Sequence, residues 1–380
     1  MALVNLQQPK RIVFGAGALQ KAAEIIDLGV RRVLIVTSNS VVPVVQPLVE
    51  ALEIHGVSVT VYGGVDTEPS VSLFEAVLEV ARSANPDAVV GIGGGSPLDT
   101  AKAVAALHGS DQGIREVFGI GLLKGRKTHL VCLPTTAGTG SEVSPNAIFL
   151  DDADQLKKGV ISPFLVPDAA YVDPLLTHTV PPAVTAATGV DAMIHCLEAY
   201  ANKFAHPAVD LYALQGIRLI SAHLARAVKQ PDDAGAREGL SLGALYGGLC
   251  LGPVNTAAVH ALAYPLGGEF KVPHGVSTAL LLAPVVDFNI PAAPERYAEI
   301  ARAMGVDGRG SDEEVARRGQ ERMLALNAEC GLPSRLSEVG VAKEALPRIV
   351  EAGMTVTRLL KNNPREVTAA DAAQIYRALL

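Results

Sequence analysis

Unbroken apolar runs alternate with helically spaced apolar positions through the first half of the chain. Residues 32–37 (RVLIVT) and 87–92 (DAVVGI) read as buried parallel strands, and 57–62 (VSVTVY) and 129–133 (HLVCL) as further strands. Residues 44–55 and 72–83 carry apolar side chains at helical spacing. The alternation predicts a parallel sheet with helices on both sides. The pattern changes near Pro182: residues 183–201, 207–229, 239–251 and 370–380 read as helices, and strand signals become sparse. Turn-forming residues at 231–235 (PDDAG) and 307–312 (DGRGSD) mark loops. The reading is an α/β N-terminal domain over residues 1–184 and an all-α C-terminal domain over residues 185–380, with no internal repeat or heptad pattern.

Composition removes several function classes. The chain has 380 residues, 49% hydrophobic and 19% charged, which supports one or two packed domains. A net charge of −7 without a cluster of Lys and Arg argues against nucleic acid as a partner. Gly, Pro, Asn or charge interrupts the most apolar stretches well short of a bilayer span, so no membrane partner is expected. The start, MALVNLQQPKRIVFGAG, lacks the basic and apolar regions of a signal peptide. Cys132, Cys196, Cys250 and Cys330 form no CxxC pair and read as free buried thiols. The expected location is the cytoplasm.

Two loops at strand ends carry candidate cofactor chemistry. Gly93 to Lys102 reads GGGSPLDTAK after a buried strand. Glycines that open a helix leave bare N–H groups at its positive end, where a pyrophosphate binds. Gly94, Gly95 and Ser96 are the candidates, with Asp99 one turn into the helix. The same residues also suit a plain strand-to-helix turn, since GxGxxS is not the dinucleotide fingerprint. Residues 133–144 (LPTTAGTGSEVS) offer Thr135, Thr136, Thr139 and Ser141 as hydrogen-bonding groups. Gly15-Ala16-Gly17 resembles half a fingerprint but ends in Gln20, and reads as an ordinary turn.

The second half holds candidate metal ligands. Asp191 and His195, in GVDAMIHCLEAY, share one helix face at i,i+4. His260 lies in AAVHALAYPLGG and His274 in KVPHG, at the expected start of another element. One carboxylate and three imidazoles suit a divalent transition metal. Each histidine taken singly reads better as a hydrogen-bonded core residue.

Taken together, these segments resemble the iron-dependent (group III) alcohol dehydrogenase family. GGGSPLDTAK, PTTAGTGSEVS, KKGVISPFLVPDAAYVDP, AATGVDAMIHCLEAY and HALAYPLGGEFKVPHG follow the family's order across nearly the whole chain. The resemblance implies a dehydroquinate-synthase-like fold, with an N-terminal cofactor domain, a C-terminal helical metal domain and the active site between them. It implies Asp191, His195, His260 and His274 as ligands of Fe2+, with Zn2+ as the alternative. It implies Gly94, Gly95 and Ser96 at the pyrophosphate of NAD or NADP, with Thr135, Thr136, Thr139 and Lys157 as further contacts. It implies hydride transfer between that cofactor and a small alcohol/aldehyde or ketone pair, in a homodimer or larger oligomer.

Two positions depart from the family pattern. Members that prefer NAD often carry Asp where this chain has Ser38, followed by Asn39 and Ser40. Without that carboxylate, NADPH is expected to serve at least comparably with NADH. Many members carry a second His one turn after the third ligand, where this chain has Tyr264. A phenol with a pKa of about 10 is a poor base at pH 7, so Tyr264 is expected to line the pocket without taking the proton. The competing readings are a zinc polyol dehydrogenase or a dehydroquinate-synthase-type lyase of the same fold, and a non-enzymatic metal- or nucleotide-binding protein. The lyase needs a basic site, and the segments around the four ligands are mostly apolar.

Overall fold

A computed structural model describes residues 3–153 and 156–380. The chain forms two compact units, Leu6–Thr179 and Val180–Leu380, the latter joined by the residues just before Leu6. The division falls at Val180, ahead of the expected 184. Residues from Val180 onward are tied to the first turn of the following helix: Thr185 Oγ1 and Arg237 Nη2 both donate to Val180 O.

The first unit contains β1 (Arg11–Phe14), β2 (Arg32–Val36), β3 (Ser58–Tyr62), β4 (Ala88–Gly93), β5 (Gly119–Ile120), β6 (His129–Pro134), β7 (Asn146–Asp151), β8 (Leu156–Ile161) and β9 (Ala169–Val172). Six of them form a wholly parallel sheet in the order β1-β9-β6-β4-β2-β3, and β5-β8-β7 form a small separate sheet. The strand pleat explains the unbroken apolar runs, because successive side chains enter opposite cores. Val33 and Ile35 of β2 join the core under α1 (Ala18–Lys21) and α2 (Val42–Ile54). Leu34 and Val36 join the core under α3 (Val71–Ala84) and α4 (Gly95–Leu107). The small sheet covers that second core, with Phe149 of β7 edge-on to Phe74 of α3 at 5.7 Å between centroids. The sequence reading did not include the β7–β8 pair. Lys157 and Lys158 lie inside β8 and hide its strand pattern.

The strand order reverses between β2 and β4. In open α/β sheets, ligands bind at such a reversal, outside the carboxyl ends of the strands. The candidate cofactor residues follow the carboxyl ends of β2, β4 and β6. The Gly15–Gly17 turn is used internally, since the N–H groups of Gly17 and Leu19 donate to Asp173 Oδ2 at 3.0 and 3.2 Å.

The second unit is built from α5 (Pro182–Tyr200), α6 (Pro207–Lys229), α7 (Ala234–Leu251), α8 (Ala258–Phe270), α9 (His274–Asn289), α10 (Pro294–Ala303), α11 (Asp312–Glu329), α12 (Leu346–Met354), α13 (Thr357–Leu360) and α14 (Ala369–Arg377). Helix α7 begins ahead of residue 239 because Asp233 caps it, accepting from Ala236 N at 2.9 Å. Every residue of α5 from Gly189 to Tyr200 is buried, so α5 is the central helix of the unit. The run His274–Ala292 is long and apolar enough to cross a membrane by length and composition. Pro284 and Asp287 do not end it, contrary to the sequence reading, and 61% of its most apolar window is buried inside the unit.

A fully buried Lys102 on α4 holds the cofactor-side loops together. Its ammonium donates to Ser141 O at 2.9 Å, to Ser141 Oγ at 3.0 Å and to Asn146 O, and lies 4.0 Å from Asp99 Oδ1. Removing one partner of a buried ion pair costs about 3–5 kcal/mol, because the other charge stays buried. Lys102→Ala is expected to lower the thermal unfolding temperature by several degrees or more, read by circular dichroism. An unchanged unfolding temperature would show that Asp99 tolerates losing its partner.

Candidate metal centre and dinucleotide loops

Helix α5 carries Asp191 and His195 inside the second unit, and α8 brings His260 against them. Ligand atoms of these three residues lie within 4.8 Å of one another, all buried. His195 Nε2 is 3.7 Å from Asp191 Oδ2, and His260 Nε2 is 3.4 Å from Asp191 Oδ1. His274, the first residue of α9, brings its Nε2 to 3.6 Å from Asp191 Oδ1. Gly275 makes this possible, since a Cβ there would meet Ala187 O of α5 at 2.3 Å. Thr278 Oγ1 donates to Asp191 Oδ1 at 3.0 Å and fixes the carboxylate.

Glu198, one turn beyond His195, completes the arrangement. It accepts from Ala257 N at 2.9 Å, from Val259 N at 2.6 Å and from His260 Nδ1 at 2.6 Å. One carboxylate thus satisfies the start of α8 and fixes the His260 tautomer, with the proton on Nδ1. The Nε2 lone pair then faces the Asp191 carboxylate, and this buried atom has no hydrogen-bond partner among the described residues. Two acceptors face each other unless a cation lies between them. Burial lowers the His260 pKa, but Glu198 and Asp191 outweigh burial and raise it to about 9. Burial likewise raises the Asp191 pKa, and His274, His195 and His260 together hold it well below the carboxylate range. The donor set fits a divalent transition metal.

Tyr264 lies one turn along α8, its ring centroid 6.1 Å from that of His274. Burial raises its pKa above the ordinary tyrosine value against the opposing pull of Arg358. The phenol therefore stays protonated near neutral pH.

In the first unit, Gly94 caps α4, and the N–H groups of Gly95 and Ser96 open its first turn. The two candidate loops pack together: Cβ atoms built on Gly94 and Gly95 would meet Thr136 Cγ2 at 3.5 Å and Thr139 Cγ2 at 2.8 Å. Thr135 N donates to Gly93 O at 2.9 Å. Asp99 is engaged internally, accepting from Ser141 Oγ at 2.5 Å and Ile148 N at 2.9 Å. Thr139 Oγ1 accepts from Ser141 N at 3.3 Å. Lys157 is paired with Glu68. Ser38 Oγ lies 3.2 Å from Ser40 Oγ.

Sequence reasoning missed Glu198 and Asp66. Glu198 shares the i, i+4, i+7 face with Asp191 and His195, a readable signal. Asp66 follows β3 and accepts from Asn39 N at 2.8 Å and Asn39 Nδ2 at 2.5 Å. It places a negative charge one residue from Ser38. The expectation that NADPH serves at least as well as NADH thereby loses its electrostatic basis.

Comparison with known proteins matches both halves of the chain. Residues 9–174 match the model of iron-containing alcohol dehydrogenase, and residues 185–380 match that of the Fe-containing alcohol dehydrogenase family, C-terminal. Long-chain-alcohol dehydrogenase 1 of Geobacillus thermodenitrificans (strain NG80-2) is 38% identical over 385 residues, covering 100% of this chain and 97% of the relative. The crystal structure of a 1,3-propanediol oxidoreductase superposes with a TM-score of 0.97 at 32% identity, covering 100% of both chains. Sulfoacetaldehyde reductase from Bifidobacterium kashiwanohense, solved in complex with NAD+, gives a TM-score of 0.90 at 29% identity, covering 100% of this chain and 99% of that one.

Glu198→Gln keeps a hydrogen-bonding side chain but removes the charge that anchors His260. Metal affinity is expected to fall roughly 10–100-fold, measured by metal content after dialysis against graded chelator. Unchanged retention would reduce Glu198 to a helix cap.

Proposed function

The chain belongs to the iron-containing alcohol dehydrogenase family, and on that premise we propose that Asp191, His195, His260 and His274 hold Fe2+, with Zn2+ as the alternative ion. The observation that carries this reading is the buried His260 Nε2, turned by Glu198 toward the Asp191 carboxylate with no hydrogen-bond partner among the described residues. We assign dinucleotide binding to the α/β domain of residues 1–184, through Gly94, Gly95, Ser96, Thr135 and Thr136, and metal binding to residues 185–380. Ser38 sits at the strand end where the ribose is read. Asp99, Thr139 and Lys157 bound the same site, Asp99 and Lys157 through the partners they already hold.

When bound, the metal would polarise the substrate oxygen and a nicotinamide would give or take the hydride. The side chains of the chain do the positioning. Glu198 keeps the His260 proton on Nδ1 and its lone pair free. Thr278 holds Asp191. Tyr264 bounds the substrate pocket and donates a hydrogen bond without accepting the proton. The three relatives are named for a long-chain alcohol, a propanediol and a sulfonated aldehyde, so the family chemistry is constant while its substrates vary. The four buried free thiols fit a reducing compartment, and we place the enzyme in the cytoplasm. We propose a homodimer or larger assembly, supported by Phe204 and Leu211, large apolar side chains left exposed.

His260→Ala is expected to lose both bound metal and turnover while retaining its helical circular dichroism. Full activity in that variant after chelation and dialysis would overturn the ligand assignment. Tyr264→Phe is expected to cost less than about tenfold in turnover, the worth of one hydrogen bond. A thousandfold loss across pH 6–10, or the removal of an ionisation from the pH profile, would make Tyr264 the acid–base group instead.

A further inference from the structure

Buried amides fasten the C-terminal segment to the helices that carry the metal ligands. Asn362 Nδ2 donates to Thr256 O, just before α8, at 2.8 Å. Asn363 and Asn289, at the end of α9, exchange hydrogen bonds of 2.9 and 2.7 Å. Tyr376 of α14 donates to Leu262 O of α8 at 2.5 Å. Just before these anchors, α13 packs on α8 and carries Arg358.

Arg358 is half-buried and forms no ion pair among the described residues. Its neighbours in the unit are spoken for: Arg296 is paired with Asp210, Arg348 with Glu269, and Arg365 donates to Phe288 O. Helix α13 packs on α8, where Arg358 pulls the Tyr264 pKa down against burial, and the Tyr264 ring adjoins that of His274 at 6.1 Å between centroids. A guanidinium that meets a phenol and no carboxylate keeps donors unspent, and a carboxylate or sulfonate takes up such donors in pairs.

A charge count at the centre points the same way. Asp191 and Glu198 contribute two negative charges, which a divalent ion cancels, with the three imidazoles neutral as ligands. Arg358 then adds a positive charge that the two carboxylates of the centre do not neutralise. Its planar fork matches the paired oxygens of an oxyacid.

We propose that Arg358 is a specificity-determining residue that binds a carboxylate or sulfonate at the far end of the substrate. The preferred substrates are then small hydroxy or oxo acids instead of plain alcohols and aldehydes. This inference rests on the dehydrogenase reading and names its substrate class. Tyr264 adjoins His274 with its ring and Arg358 with its hydroxyl, so the chain joining carbonyl and anion is short.

The test compares near-isosteric aldehydes on the metal-loaded protein: succinate semialdehyde, 3-oxopropane-1-sulfonate and butanal. The expected result is a kcat/KM for at least one anionic aldehyde more than tenfold above that for butanal. Arg358→Met lowers that ratio at least tenfold, through KM, and Arg358→Lys restores part of it. Calorimetric titration with 4-hydroxybutyrate, without cofactor, is expected to show a matching loss of affinity in Arg358→Met if the carboxylate is the better anion. Thermal unfolding identifies the variants that fold. Anionic and neutral aldehydes used equally well, or a variant that lowers all three alike, would assign Arg358 to the packing of Tyr264 and overturn the inference while leaving the dehydrogenase reading intact. No turnover of any aldehyde with either nicotinamide would overturn both.

Discussion

Two carboxylates buried two turns apart on one helix face are the constraint on which the rest of the helical unit depends. Asp191 and Glu198 lie on one face of α5, the most enclosed helix of the unit. An isolated buried carboxylate is expensive, and two near each other are worse. The surroundings compensate. Glu198 accepts three hydrogen bonds at the start of α8, and Asp191 accepts one from Thr278 and faces three imidazoles. The starts of α8 and α9 are thereby fixed by the same charges that make the centre attract a cation. Structure and function share one electrostatic demand, so metal loading and the packing of these helices are coupled.

The first unit meets the opposite problem: on the proposed reading it offers backbone N–H groups to a dinucleotide while two loops are held against each other. It does so with side chains taken out of the ligand's reach. Lys102 and Asp99 tie α4 to residues 141–148 from beneath. Gly95 lets Thr139 close against the opening of α4. On the dinucleotide reading proposed above, the N–H groups that open α4 are the donors a pyrophosphate takes up.

Much of this was legible in the sequence because it follows short-range periodicity. The buried strands β2, β4 and β6 read as apolar runs, as does the half-exposed edge strand β3, and Asp191 with His195 reads as a helical pair. Glu198 was legible on the same face but not read, because a lone Glu near a helix end is ordinarily solvated. Asp66 and Arg358 were not legible at all. Each acquires its meaning from a partner, Asn39 or Tyr264, that only the tertiary fold brings near. β8 failed for a different reason: its two lysines belong to a strand of a small sheet, where Lys158 pairs with Asp151 and Lys157 with Glu68. Charge inside a strand reads as loop when its partners are unknown.

The pairing of Tyr264 with Arg358 bears on how the site carries charge. Histidine at position 264 would titrate near neutrality, adding or losing a positive charge within the working range. The tyrosine stays neutral there, its pKa raised above the ordinary value by burial, and a guanidinium is charged throughout. The pair therefore supplies a hydrogen-bond donor and a permanent positive charge without a proton that comes and goes. A pocket of that kind gives up a resident base and gains a constant field at one end of the substrate. Such a field is useful only if the substrate has a charge to meet it, which is why the exchange at 264 and the cation at 358 are understood together better than either is alone.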